Sequence, residues 1–386
     1  MTQPAIWTRG FRPFSAGASV FAAVTMAMWL AVYHFGVQLS LDGLSIFQWH
    51  AHEMIYGYTM AVIAGFLLTA AWNWTGLRTA SGAWLAVIFL LWVAARILWT
   101  QGTVHIRLAA AADLLFVVTL GVAVSRPVLK TRQKRQTIVL LLLFTLGAAN
   151  AWFYLGAIGL AGSGVQQGID FGFYLVLGLV LLMGRRVVPF FTQRGVGYPV
   201  EMRNSRRNDL ATSILFPAFL LCEVAFPLSV AGALLAGALF VSNSIRIHGW
   251  HTLGVWSKPL LWGLFVSFLM INLGFLLRAA TLFTVLPNYL PVHAFAVGGI
   301  GLITMSMMAR VSLGHTGRDI YQQPGLMTVL LAGMVLTAII RVFAPLVDPV
   351  HYQQWIVASG GLWIVSFTLF SILFIPMALK PRVDQS

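Results

Sequence analysis

The chain of 386 residues is 59% hydrophobic and only 9% charged, which excludes an ordinary soluble domain, since soluble domains carry about 25% charged residues. A net charge of +14 would suit a nucleic-acid partner, but the basic residues occupy short gaps between apolar runs, so we predict no such partner. The single cysteine, Cys222, excludes an intramolecular disulfide, a thiolate zinc site and haem attached through a C-x-x-C-H motif.

Twelve apolar runs follow one another along the chain, and each has the length of a helix that crosses a bilayer. They lack the strict apolar–polar alternation of membrane β-strands. The sequence therefore predicts an all-α, polytopic membrane protein in which residues 1–386 form a single membrane domain in contact with lipid. The predicted spans are residues 13–37, 48–74, 82–100, 106–125, 137–159, 168–190, 209–226, 229–247, 259–286, 291–312, 325–345 and 353–379.

The basic residues between the runs predict the orientation of the chain. Nearly all of them fall at the two termini and in the connections that follow even-numbered spans. Because cytoplasmic loops of membrane proteins are enriched in Lys and Arg, both termini are predicted to be cytoplasmic. The exceptions are Arg96, Arg107, Arg278 and Arg341.

The segment Trp49–Met54 (WHAHEM), at the predicted outer end of the second span, contains two histidines and a glutamate, namely His50, His52 and Glu53. Ionisable residues inside a membrane helix are costly and suggest function, although a histidine at a helix end also suits the wet interface. On a helix, His52 lies about 200° from His50 around the axis, so the two imidazoles cannot bind one metal ion. Either they serve two sites, or the helix begins after His52.

A second group, Arg310, His315 and Arg318, lies at the predicted inner end of the tenth span. Two arginines can clamp a carboxylate or a phosphate, and a haem propionate would suit them. A basic cytoplasmic loop that ends a helix explains the same residues without a ligand.

The second and tenth spans open alike, with Trp49-His50-Ala51 and Val292-His293-Ala294. If this echo reflects an internal repeat, the two helices face one site, and we expect His50, His52 and His293 to share a pocket at the outer side. Arg96 and Asp113, in the third and fourth spans, are expected to form a structural ion pair rather than a proton path.

At these motifs the chain resembles the NnrS family, whose members are twelve-span bacterial inner-membrane proteins. The resemblance implies haem and copper, and a role in nitric oxide metabolism and protection against nitrosative stress. The matching segments are Gly10–Phe14 (GFRPF), Trp49–Met54 (WHAHEM), Ala64–Thr69 (AGFLLT), Asn73–Gly76 (NWTG), Gly184–Thr192 (GRRVVPFFT) and Arg310–Arg318 (RVSLGHTGR).

From this resemblance we expect haem b, held non-covalently by imidazole, and copper. The expected metal ligands are His50, His52 and His293, with Glu53 orienting an imidazole, and Arg310, His315 and Arg318 form the second cofactor-binding group. The chain departs from the family in having Tyr154 and Phe265 where family members often carry histidine. Nitric oxide is small and apolar enough to arrive through the lipid. The alternative function is a twelve-helix secondary transporter without a cofactor.

Overall fold

The computed structural model describes residues 3–41, 43–101 and 105–383. Within these residues there is no β-strand, and twelve helices are long and apolar enough to cross a membrane, as the sequence predicts. The helices are α1 (Phe11–Tyr33), α2 (Ile46–Thr75), α3 (Ala83–Thr100), α4 (Ile106–Lys130), α5 (Lys134–Ala157), α6 (Gly164–Gly195), α7 (Arg206–Ala225), α8 (Val230–Trp250), α9 (Pro259–Ala280), α10 (Tyr289–His315), α11 (Leu326–Val347) and α12 (Tyr352–Leu379).

The largest error in the predicted boundaries is at the end of α9, which stops at Ala280 instead of residue 286. The residues that follow are apolar, but they form turns, and Phe283 is 86% exposed. Pro287 then separates this segment from α10, and helices usually end before a proline. Apolarity alone therefore overestimates the length of the helix.

The chain divides into two compact units. The first comprises Met1–Val176, Val311–Arg318 and Phe367–Ser386, and the second comprises Leu177–Arg310 and Asp319–Ser366. Helices α6, α10 and α12 each contribute residues to both units. The single membrane domain over residues 1–386 stays a prediction.

Helix α2 forms the centre of the first unit. It packs closely on α1 because Gly65 has no side chain, and a Cβ there would lie 3.0 Å from the Cβ of Phe14. The Thr69 hydroxyl accepts a hydrogen bond from the Phe11 backbone N–H at 3.1 Å, which satisfies a donor in the first turn of α1. This packing fixes the orientation of α2, the helix that carries His50, His52 and Glu53.

The second unit has a similar close contact between α9 and α10. A Cβ on Gly298 would lie within 2.8 Å of three side-chain atoms of Met270, and one on Gly274 would lie 2.6 Å from the ring of Phe295. Glycines at helix interfaces let backbones approach in this way in membrane proteins. Helix α10 is accordingly largely buried.

Helices α2 and α10 share an interruption that the other ten helices lack in the described residues. Each begins with a short α-helical segment that contains histidine and then widens into a π-helix, over Glu53–Thr59 in α2 and Ala294–Gly301 in α10. Such segments are rare and occur often at functional sites. The predicted echo between the two helices therefore extends to their backbone conformation, although neither helix is broken.

The start of α1 and the end of α12 lie at the same end of the first unit. Arg12, at the start of α1, donates to the carbonyl oxygens of Ala378 and Lys380, at the end of α12, at 2.7 Å each. The Val383 N–H donates to the carbonyl of Thr316, just beyond α10, at 3.1 Å. This arrangement agrees with an even number of membrane crossings.

The fold and the distribution of basic residues together predict that both termini are cytoplasmic. Alkaline phosphatase fused after Ser386 should be inactive, because this enzyme folds only outside the cytoplasm. The same enzyme fused after Ser163, between α5 and α6, should be active. Activity after Ser386 would contradict the predicted orientation.

Candidate functional site

Helix α2 begins at Ile46, where Ser45 and Gln48 form a capping box. The Ser45 hydroxyl accepts from the Gln48 backbone N–H at 3.2 Å, and the Gln48 side chain accepts from the Ser45 N–H at 2.9 Å. Of the two sequence alternatives, a helix that begins after His52 is therefore wrong. His50 and His52 lie on one continuous helix and face different neighbours.

His52 is fully buried, and both of its ring nitrogens face hydrogen-bond acceptors. Nδ1 lies 2.9 Å from Oε1 of Glu53, and Nε2 lies 3.0 Å from Oδ1 of Asn150 in α5. The Asn150 amide is oriented by Asp113, since a carboxylate only accepts and the amide nitrogen points to it at 3.4 Å. The amide oxygen must therefore accept from His52 Nε2.

Arg96 joins this group and contacts both carboxylates. Its Nη1 donates to the same Oε1 of Glu53 at 2.6 Å, and its Nη2 forms an ion pair with Oδ2 of Asp113. Both ring nitrogens of His52 face oxygen acceptors, Oε1 of Glu53 and Oδ1 of Asn150. Protons on both nitrogens would satisfy both acceptors, and His52 and Arg96 would then be two cations beside two carboxylates.

The predicted ion pair between Arg96 and Asp113 is thus confirmed, as part of a larger network. Tyr154 lies in it too, because its hydroxyl donates to Oδ2 of Asp113 at 2.8 Å and accepts from Trp99 Nε1 at 2.9 Å. At this position, where the family resemblance implies histidine in many members, the chain has a phenol that stabilises the buried carboxylate. We define the buried network as His52, Glu53, Arg96, Asp113, Asn150 and Tyr154.

His50 points away from the buried network toward α1. Its ring packs on the indole of Trp29 with a centroid distance of 4.8 Å, and the residue is half-buried. The divergence of His50 and His52 follows from helical geometry, as the sequence predicts.

His293 ends the first α-helical segment of α10. Its Nδ1 lies 2.6 Å from the backbone carbonyl of Tyr289, which can only accept, so the ring proton is on Nδ1. If the ring is neutral, Nε2 then carries the lone pair. Since His293 belongs to the second unit and His50 and His52 to the first, their common pocket stays a prediction.

The second predicted group is divided between the two units. Arg310 is buried in the second unit, with its guanidinium 3.6 Å from the ring centroid of Phe191, a cation–π contact. In the first unit, Arg9 donates to Nδ1 of His315 at 3.2 Å, so this nitrogen carries the lone pair and the ring proton is on Nε2. Gly317, just after the end of α10, has a φ of 78°, a left-handed backbone conformation that glycine adopts without strain.

Three residues that contact the predicted site residues are not themselves predicted as site residues by the sequence. Asn150 is a lone amide in the apolar run of α5, and its polarity is the only signal in the sequence. The sequence predicts Arg9 and Arg12 only as charges of the cytoplasmic side, although Arg12 is 3% exposed. At the other departure from the family, Phe265 packs on the ring of His251 at 5.5 Å.

The family profile described as NnrS protein matches residues 5–382, nearly the whole chain. The chain belongs to the NnrS family. No curated protein matches it in sequence.

The histidines of this NnrS-family protein differ in their fitness as metal ligands. The Nδ1 of His293 faces a backbone carbonyl, as in many histidine ligands, which bind the metal through the other ring nitrogen. Both ring nitrogens of His52 face oxygen acceptors, and Nδ1 of His315 accepts from Arg9. The metal-ligand roles of His50, His52 and His293 stay predictions. Within the described parts of the chain, no three His, Cys, Asp or Glu side chains come together as a metal site.

The buried network predicts a specific loss of stability. Asp113→Asn should lower the free energy of unfolding by about 3–5 kcal/mol, because it leaves buried cations without their counter-charge. Tyr154→Phe removes two hydrogen bonds but no charge, and it should cost only about 2 kcal/mol. The measurement is the thermal unfolding midpoint of purified protein in detergent.

The matched control is Asp170→Asn, since Asp170 accepts from Gln166 at the surface of α6 at 3.0 Å. It should leave the midpoint almost unchanged. An equal fall of the unfolding midpoint in Asp113→Asn and Asp170→Asn would show that the buried network contributes no more to stability than the Asp170 contact does.

Proposed function

We propose that this NnrS-family protein is a metalloprotein of the bacterial inner membrane that binds haem b and acts in the response to nitric oxide and nitrosative stress. Family membership supports the proposal, and so does the setting of His293. Its Nδ1 faces the Tyr289 carbonyl at 2.6 Å, the kind of contact that orients imidazole ligands, and Nε2 would be the atom that binds the metal.

Haem suits the available donors better than a copper ion held by protein alone. A porphyrin supplies four nitrogens, so one or two imidazoles complete the ligation of its iron. A protein-bound copper centre takes about three ligands, and no such group occurs in the described residues of either unit. We therefore place haem b first and copper second.

The histidine-bearing ends of α2 and α10 are the candidate ligand sites. His293 is the first choice, and His50, beside the Trp29 ring, is the second. A bound haem iron would supply a centre that coordinates a diatomic gas. The protein would hold the imidazole in the required tautomer and surround it with apolar helix surface, which nitric oxide can cross without an aqueous channel.

The test is the absorbance spectrum of protein purified in detergent, together with haem and metal analysis. Wild-type protein should show a Soret band, and His293→Ala should reduce the haem content per protein to less than about one tenth, since the axial ligand is lost. His50→Ala tests the second candidate in the same way.

His351→Ala is the control, because His351 is an exposed histidine whose Nδ1 contacts Asp348 at 2.9 Å. Its spectrum should match the wild type. A colourless wild-type protein without metal would contradict the proposal and favour the alternative of a secondary transporter. A Soret band unchanged by both His293→Ala and His50→Ala would refute these ligands.

A further inference from the structure

A cluster of four arginines lies at one end of the first unit, where the start of α1, the end of α10 and the carboxyl-terminal segment meet. The arginine cluster consists of Arg9, Arg12, Arg318 and Arg382, with His315 beside it. Arg12 lies within electrostatic range of the other three arginines, and His315 lies within range of Arg9, Arg12 and Arg382.

Part of this positive charge is buried. Arg12 is only 3% exposed, and its Nη1 donates to the carbonyls of Ala378 and Lys380 at 2.7 Å each. These contacts use neutral acceptors and leave the charge of Arg12 in place. Arg9 places its guanidinium 4.4 Å from the ring centroid of Trp72 and donates to His315, again without meeting a negative charge.

Two donors of the cluster lack an acceptor. Arg12 Nε and Arg318 Nη1 are buried nitrogen atoms with no hydrogen-bond partner among the described residues. Among the residues that the structure describes, no ion pair joins Arg9, Arg12 or Arg318 to a carboxylate. Asp319, next to Arg318 in sequence, accepts from the Tyr321 N–H in its own loop at 2.7 Å.

Buried like charges oppose one another. Burial, and then the charge of Arg382, lower the pKa of the Arg9 guanidinium, which shows that the local environment disfavours further positive charge. Buried charges in native proteins are normally paired, because an unpaired one costs several kcal/mol. An anion bound among the arginines would remove this cost.

An ordinary basic loop at the membrane surface does not explain these features. Such a segment exposes its guanidinium groups to water, as Arg135 does in the first turn of α5. In contrast, the arginine cluster turns unsatisfied N–H groups toward the protein interior. This difference distinguishes a ligand site from the general excess of cytoplasmic charge.

We propose that the arginine cluster binds a phosphate group, with Arg12 Nε and Arg318 Nη1 as hydrogen-bond donors. A carboxylate has two oxygens in one plane and suits a single guanidinium fork. A phosphate presents three or four oxygens in a tetrahedral array, which suits a cluster of arginines contributed by three segments of the chain. The phosphate belongs either to free inorganic phosphate or to the headgroup of an anionic lipid, since the site lies at the end of a membrane helix bundle.

The experiment measures binding to full-length protein purified in detergent and depleted of lipid. One arm titrates inorganic phosphate by calorimetry. The other adds phosphatidylglycerol and measures retained lipid by native mass spectrometry. Whichever of the two probes binds, Arg318→Gln should weaken its binding at least about tenfold, because a charge-assisted hydrogen bond to phosphate is lost.

Arg135→Gln is the matched control, because it removes one exposed arginine of the predicted cytoplasmic side and should leave binding unchanged. Arg9→Gln provides a second variant of the cluster in case Arg318→Gln does not fold, as judged by helical circular dichroism. Binding of phosphate or of lipid that depends on Arg318 or Arg9 supports the proposal and identifies the source. Binding of neither probe, or equal loss in Arg135→Gln, would overturn it.

Discussion

A charged side chain that leaves water for a bilayer must meet its counter-charge inside the protein, and the arrangement of this chain depends on that constraint. In the first unit, two carboxylates, Glu53 and Asp113, both contact Arg96, and Glu53 also contacts the ring of His52. In the second unit, Arg278 binds Glu223 through both carboxylate oxygens at 3.0 Å. Each pair links two helices that would otherwise have to expose a charge to lipid.

The same constraint separates histidines that act as counter-ions from histidines that can bind a metal. An imidazole can act as a counter-ion or as a metal ligand, but it cannot offer a lone pair while both nitrogens carry protons. Both nitrogens of His52 face acceptors, an arrangement suited to a counter-ion. The Nδ1 of His293 faces a neutral carbonyl, and a neutral ring there would be suited to a ligand role. In the arginine cluster, Arg9, Arg12 and Arg318 form no ion pair with a carboxylate among the described residues, and the proposed anion would supply the counter-charge.

The sequence was sufficient to predict those features that depend on local composition. Apolar runs predicted all twelve helices, and the helical period predicted that His50 and His52 diverge. Charge pairing in a membrane predicted the contact between Arg96 and Asp113. These predictions succeed because each follows from the chemistry of one segment, or of one pair of rare charges in an apolar background.

Features that depend on three-dimensional neighbours could not be predicted in this way. The hydrogen-bond partners of His52 and His315 are brought near them only by the fold, such as Asn150, 98 residues from His52 in sequence. The π-helical segments of α2 and α10 leave no recognisable mark in the sequence. The burial of Arg12 is equally hidden, because its motif reads as an ordinary basic terminus.

The protonation of His52 tests the balance of buried charge most directly. Solid-state NMR of ¹⁵N-histidine-labelled protein in lipid at neutral pH, compared with His52→Gln, assigns the two ring nitrogens by difference. We expect the lost signals to be those of an imidazolium, with both nitrogens protonated and hydrogen-bonded. A ring nitrogen of His52 that carries a lone pair would contradict the account and return His52 to the candidate metal ligands.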